Sequence, residues 1–215
     1  MTIHLYGHPF ASYAWKPLIA AYERNVPFEF YMVDPNHAEN TARMRDLSPT
    51  GQFPALVDGD RTVTQSNAVI EYLDRIGSAP KMIPSDPDAS LNARMITDVF
   101  DCYIAGPMQQ IVGEALRPVD RQDSGRVAEA KSNLDSSYAW LSRQISHTWA
   151  VGDRFTIADC AAAPALFYAD WLHAIPDGRL KSYRARLLAH PSVVRVVNEA
   201  RPYRSFFPLG APDRD

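Results

Sequence analysis

Residues 48–73 read SPTGQFPALVDGDRTVTQSNAVIEYL, and the N-terminal half of the chain is best understood from this stretch outward. Ala55-Leu56-Val57 is a short strand, Asp58-Gly59-Asp60 a hairpin turn, and Thr62-Val63-Thr64 the returning strand. Pro54 precedes the first strand and has no N–H for a ladder, so the backbone of Phe53 is left to pair with something else. Ser66 opens a helix whose apolar residues, Val69, Ile70, Leu73 and Ile76, fall on one face. A reciprocal capping box needs Glu or Gln three residues after the cap, and Val69 stands there instead. The first N–H groups of the helix and its positive end are therefore available to a carboxylate. Read locally, a plain serine cap is the simpler account and a ligand site the second. The whole stretch is predicted to be a strand–turn–strand–helix unit that offers backbone polar groups and a helix N-terminus to a small carboxylate-bearing ligand.

Upstream, Ile3-His4-Leu5-Tyr6 reads as a strand ended by Gly7-His8-Pro9. A helix follows over Tyr13 to Arg24, with Leu18, Ile19 and Tyr22 on one face. Phe28, Phe30 and Met32 alternate with other residues as a second strand. Asp34 to Leu47 is polar and reads as an irregular helix plus loop. The order β-α-β-α-β-β-α implies a parallel pair first, linked through a helix, and an antiparallel hairpin last. Downstream, Pro80, Pro84 and Pro87 mark a linker over 78–90. It separates an α/β domain (1–77) from an all-helical domain (91–215). In the latter, Leu91, Met95, Val99, Tyr103 and Ile104 form one predicted core stripe, with Gly106-Pro107 kinking or ending that helix. Val127, Ala130, Leu134, Tyr138, Leu141 and Ile145 form another. Residues 157–172 are apolar on nearly all sides, as a buried central helix requires. Two shorter helices follow, near 180–188 and 191–200, with Pro191 suited to a first helical position.

The 215 residues are 46% hydrophobic and 22% charged, with net charge −3 and no basic run, so nucleic acid is not an expected partner. Cys102 and Cys160 fit no metal or CxxC spacing and read as reduced core thiols of a cytoplasmic protein. The opening MTIHLYGHPF lacks the cationic-then-apolar order of a signal peptide, and no apolar run is long enough for a bilayer, so no membrane partner is expected. Dinucleotide, P-loop, zinc-protease and nucleophile-elbow motifs are absent. His4 and His8 are four apart, but on a strand and its exit loop, so they present no metal face; no metal is expected.

One more local feature stands out. Phe10-Ala11-Ser12-Tyr13 leads into the first helix, where a serine is by default a cap. It is also where a hydroxyl and a helix N-terminus together stabilise a thiolate.

Strand, hydroxyl-led helix, SPTGQFPALVDGD and then Gln65-Ser66 opening a helix occur in that order, followed by Phe155-Thr156-Ile157-Ala158-Asp159 in the helical half. Over the whole chain this resembles the glutathione transferase family: a thioredoxin-like domain followed by a helical bundle. The resemblance implies glutathione as cosubstrate and a homodimer. It places Ser12, as in serine-type members, at the glutathione sulfur. Phe53 then pairs through its backbone with the cysteinyl part, Pro54 is a cis proline, Gln65 and Ser66 hold the γ-glutamyl end, and Gln52 lies near the glycyl end. Thr156 and Asp159 form a structural capping box, with Phe155 a staple onto Cys160, so Asp159 is not assigned to catalysis.

Tyr6 ends the first strand, where tyrosine-type members keep their catalytic phenol, and is the rival to Ser12; the helix end favours Ser12. Lys16 reads as a solvated first-turn charge. Phe10, Tyr13, Tyr103 and Met108 are candidates for a second-substrate pocket between the domains. Residues 8–16 hold no cysteine, which disfavours the subclass working by thiol exchange. The expected activity is attack of the glutathione thiolate on an electrophilic small molecule. Two alternatives remain open. Ser12, Trp15, Ile19 and Ala20 are faintly similar to zeta-like members, which are glutathione-dependent cis–trans isomerases. Tyr13 and Pro17 depart from the usual pattern, which leaves room for a glutathione-binding domain without turnover.

Overall fold

The computed structural model describes residues 2–78, 80–145 and 148–215. The first half contains β1 (Ile3–Gly7), α1 (Ser12–Glu23), β2 (Phe28–Met32), α2 (Ala38–Leu47), β3 (Ala55–Asp58), β4 (Arg61–Thr64) and α3 (Ser66–Ile76). The strands form one sheet in the order β2-β1-β3-β4. β1 runs parallel to β2 with Leu5 opposite Phe30, and antiparallel to β3 with Leu5 opposite Leu56. β3 and β4 form the expected hairpin, and Gly59 takes the positive φ of its turn, 58°. Period-2 alternation sorts β1 across the sheet: Leu5 joins the main core, whereas Tyr6 packs with Val33, Met44 and Ala55.

The helical half contains α4 (Pro87–Val99), α5 (Gly106–Ala115), α6 (Ser124–Gln144), α7 (Ile157–Leu172), α8 (Arg179–Leu188) and α9 (Pro191–Ala200). α4 starts inside the proline-rich stretch, with Asp86 accepting from Ala89 N–H as its cap. The linker is tied down. Asp74 of α3 accepts from the N–H groups of Met82 and Ile83, both at 2.8 Å, and the buried Arg24 donates to the Gly77 and Pro80 carbonyls. α7 is buried almost throughout, as its composition requires.

The capping box at its start is present: Asp159 accepts from Thr156 N–H at 2.8 Å. Asp159 also accepts from Tyr183 Oη at 2.6 Å and Ala150 N–H at 2.9 Å. Burial nevertheless pushes its carboxyl up to about 6, against the pull of these donors. Phe155 stacks on His190, ring centroids 4.3 Å apart, and packs edge-on against Trp149.

Three expectations for this half are corrected. Of the stripe Leu91, Met95, Val99, Tyr103 and Ile104, Ile104 is buried and Val99 packs partly buried against the core, but Leu91, Met95 and Tyr103 are 66%, 45% and 60% exposed. The buried face is Ala93, Ile96, Phe100, Ile104 and Met108. The helical period was legible, but two apolar stripes share this helix and the period cannot say which one is covered. Of the two outcomes expected at Gly106-Pro107, a kink or an end, the end does not occur. Phe100–Ala105 is a π-helical turn joining α4 to α5, and the carbonyl left without a donor by Pro107 falls within that widened stretch. Cys102 lies on the turn and is exposed, not a core thiol; Cys160 is buried. Among the described residues, no helix is long and apolar enough to cross a membrane.

Candidate active site

The N-termini of α1 and α3 open onto one cleft of about 970 Å³ between the sheet domain and α4–α5. Ala11, not Ser12, is the N-cap of α1, and Gln65, not Ser66, is that of α3. Neither helix has a side-chain cap. The cap reading of both serines is thereby corrected, because each is the first helical residue. The cost is two helix ends whose leading N–H groups lack side-chain acceptors, and both point into the cleft region. Ser12 and Ser66 are buried, at 8% and 7% exposure, yet both line the cleft.

Gln65 has φ 69° and ψ 121°, a conformation costing roughly 1–3 kcal/mol for a non-glycine residue and found mainly at functional sites. The Phe53–Pro54 bond is cis. β3 begins only at Ala55, so Phe53 lines the cleft ahead of the ladder. Gln52 is exposed at the rim, accepting from Thr50 Oγ1 at 3.2 Å.

Gln109 Nε2 of α5 donates to Ser12 Oγ across a long 3.4 Å. That contact occupies an oxygen lone pair and leaves the hydroxyl proton to be donated elsewhere. Phe10, Tyr13 and Met108 line the cleft. Burial, with Asp101 close by, pushes the Tyr13 phenol up, so it stays protonated at neutral pH. Two predicted candidates lie elsewhere. Tyr103 is exposed and does not line the cleft. Tyr6 lies in the second small core, stacked on Tyr31 at 5.0 Å.

Lys16 is the largest departure from expectation. It is 1% exposed, not solvated, and its ammonium lies 2.7 and 2.5 Å from the two Asp101 carboxylate oxygens. Asn67 Nδ2 of α3 donates to the same carboxylate at 3.0 Å. Asp101, on the π-helical turn, thus ties the N-terminal part of α1, through Lys16, to the first turn of α3, through Asn67. Burial lowers the Lys16 pKa and Asp101 opposes that shift.

Asp101, Asn67, Gln109 and the segment Phe206–Pro208 all line the cleft and were missed from sequence. Only Asn67, one residue after Gln65-Ser66, carried a usable signal, its place in a helix's first turn. Phe207 reaches the cleft by packing its ring near Tyr168 and Trp171, at 6.2 and 5.1 Å. Among the described residues no group of His, Cys, Asp or Glu could hold a metal.

Residues 5–81 match the family model described as Glutathione S-transferase, N-terminal domain, and residues 124–190 match Glutathione S-transferase, C-terminal domain. A curated relative named probable maleylacetoacetate isomerase, from Caenorhabditis elegans, is 28% identical over 77% of this chain and 78% of its own length. One of the same name from Vibrio cholerae is 25% identical over 94% and 98%. A glutathione S-transferase from Methylobacillus flagellatus, solved with GSH bound, superposes with a TM-score of 0.80 at 23% identity, covering 91% of this chain and 98% of that one. The two family models together match more than half of the chain, one over the sheet domain and one over the helical half: the chain belongs to the glutathione S-transferase family.

Proposed function

We propose that the chain conjugates glutathione to an electrophilic small molecule, with residues 1–77 holding glutathione and residues 91–215 contributing to the second-substrate wall. One observation carries this reading: Ser12, Phe53, cis-Pro54 and Ser66 converge on a single cleft headed by two uncapped helix N-termini. The γ-glutamyl carboxylate suits the α3 N-terminus at Ser66. Asn67 Oδ1, buried without a hydrogen-bond partner, suits the neighbouring ammonium. The Phe53 backbone takes the cysteinyl amide, and Gln52 at the rim takes the glycyl end.

The thiol then lies at the start of α1. There the Ser12 hydroxyl donates to the thiolate and the helix end favours its charge. The nucleophile comes from the cosubstrate, so the protein's part is to lower a pKa and to position two reactants. Phe10, Tyr13 and Met108 form the apolar wall for the electrophile. The test is conjugation of a panel of aryl halides and epoxides, with retention on immobilised glutathione. Turnover of at least one panel member is expected. Retention without any turnover supports a binding domain instead, and no binding at millimolar glutathione refutes all these readings.

An isomerase acting on a dicarboxylate is the second reading, suggested by the names of the curated relatives. Lys16, the cation expected nearest the acid groups, is already held by Asp101, which favours conjugation.

The exposed stripe Leu91, Met95 and Tyr103 supports a homodimer, since such a row on one helix is a surface in want of a partner. Sedimentation velocity is expected to give dimer mass for the native chain and monomer mass for Met95→Lys. A monomeric native chain refutes the assignment. The two free thiols, Cys102 and Cys160, fit a reducing cytoplasmic setting.

A further inference from the structure

Ser12 reaches the cleft at the end of a loop, His8 to Ala11, that joins β1 to α1. From the His8 carbonyl to the Ala11 carbonyl, each backbone polar group of this loop has a partner. The His8 carbonyl accepts from Ala11 N–H at 3.0 Å, and the Ala11 carbonyl accepts from Ala14 N–H at 2.9 Å. Trp15 Nε1–H donates to the Pro9 carbonyl at 2.6 Å, and Tyr168 Oη of α7 donates to the Phe10 carbonyl at 2.8 Å. Phe10 N–H donates to His8 Nδ1 at 3.1 Å. An N–H can only donate, so this contact fixes the imidazole: its Nδ1 carries no proton. His8 does not itself line the cleft. Its ring packs edge-on against Tyr203, centroids 4.8 Å apart, and lies 6.0 Å from Phe206, which does line the cleft.

We propose that His8 is a positioning residue for the thiolate site: its unprotonated Nδ1 holds Phe10, and through it the orientation of Ser12 and of the leading N–H groups of α1. The inference rests on the conjugation reading for where the glutathione sulfur sits. The other contacts of the loop keep their form through the neutral and acid range. They are backbone pairs, an indole N–H and a phenol that burial holds protonated. His8 is the one partner that titrates there. Burial lowers its pKa from the ordinary 6.5, against the pull of Asp34, which itself pairs with His37 at 2.7 Å. The Tyr203 phenol faces it from the 201–206 segment. Above the lowered pKa the acceptor is present. Below it Nδ1 gains a proton, two donors face each other, and Phe10 N–H loses its partner. The alignment of Ser12 is therefore lost as pH falls, separately from the ionisation of the thiol.

The test compares the full native chain with His8→Asn and His8→Phe. An asparagine side chain accepts from the N–H two residues on, which is the same contact without a titrating group. Phenylalanine keeps a ring against Tyr203 and lacks the acceptor. Two quantities are followed from about pH 5 to 8. One is kcat/KM with 1-chloro-2,4-dinitrobenzene; the other is the ultraviolet difference absorbance of the glutathione thiolate in the binary complex. Near pH 8, His8→Asn is expected within about twofold of the native chain and His8→Phe about fivefold below it. As pH falls below 6.5, the ratio of His8→Asn to native rises toward about fivefold, and that of His8→Phe to native approaches one. The thiolate titration moves upward in His8→Phe and stays in place in His8→Asn. Superposed profiles for the three chains overturn the proposal while leaving conjugation intact. So does a His8→Phe loss that is equal at every pH with an unmoved thiolate titration, which marks a ring that only packs. If 1-chloro-2,4-dinitrobenzene is not converted but the thiolate titration moves as expected, the conjugation reading fails and the positioning role stands.

Discussion

Replacing Ser12 by alanine is expected to lower kcat/KM at pH 7 by about 10- to 100-fold while glutathione affinity stays nearly constant. The magnitude follows from the bond removed. A hydrogen bond to a charged group contributes roughly 1.5–3 kcal/mol, and about 1.36 kcal/mol corresponds to one pKa unit. Losing the Ser12 donor raises the pKa of the bound thiol by about one to two units on that scale. The sign is fixed: the hydroxyl favours the thiolate, so its removal favours the thiol and depletes the nucleophile at neutral pH. The acidic limb of the kcat/KM–pH profile moves upward, and the deficit shrinks at high pH, where the thiol ionises unaided. The α3 end at Ser66 and the Phe53 backbone still hold the peptide, which is why affinity is spared. Tyr6→Phe serves as the comparison. Tyr6 lies among Val33, Met44 and Ala55 and does not line the cleft, so its profile is expected to match the native one. If Tyr6→Phe shifts the profile and Ser12→Ala does not, the assignment of the hydroxyl is wrong.

Much of the frame behind this prediction was legible in residues. Strands β1 to β4 and helices α1, α3, α7, α8 and α9 fall where periodicity, Gly59 and Pro191 put them. Those signals are local: alternation, turn chemistry and a fixed φ at a helix start. The cleft was legible in part. The stretch 48–73 announced a free helix end, and the structure has one, but it is freer than expected. Ser66 sits one residue too far along to cap, and Gln65 takes the strained position. Ser12 is displaced in the same way, with Ala11 as the cap.

What sequence did not reveal was long-range. Lys16 and Asp101 are 85 positions apart, and nothing in either neighbourhood signals that they meet. A lysine in the first turn of a helix is solvated unless another element covers it, and the cover here is a π-helical turn, which no apolar period describes. Tyr103 lies on the same turn and faces outward.

Asp101→Ala is the change expected to cost the most stability. The Lys16 ammonium is 1% exposed; its hydrogen bonds among the described residues go to Asp101, and the face of the Tyr13 ring lies 5.6 Å away. Removing the carboxylate strands a buried charge, which typically costs 3–5 kcal/mol, a term much larger than the net worth of the intact pair. A domain of this size has a total stability of roughly 5–15 kcal/mol, so the loss is a large share of it. At about 2–4 °C per kcal/mol for chains of this length, Tm is expected to fall by roughly 6–20 °C.

A second variant separates the stranded charge from lost packing. Lys16→Met combined with Asp101→Leu replaces both partners with apolar groups of similar size and is expected to recover most of the stability, because neither charge is then buried alone. Recovery of folding need not mean recovery of function. Asp101 also receives Asn67 Nδ2 from the first turn of α3, so the double variant still lacks the contact that sets the glutathione end of α3 against α1. Its KM for glutathione is expected to remain raised by about tenfold, from a lost charge-assisted hydrogen bond of roughly 1.5 kcal/mol. The native stability therefore comes at the expense of two charges buried together, and what that arrangement secures is the register of two helix ends. An Asp101→Ala chain that melts within about 1 °C of the native protein would show that water reaches Lys16, and the three-helix clamp would have to be given up with it.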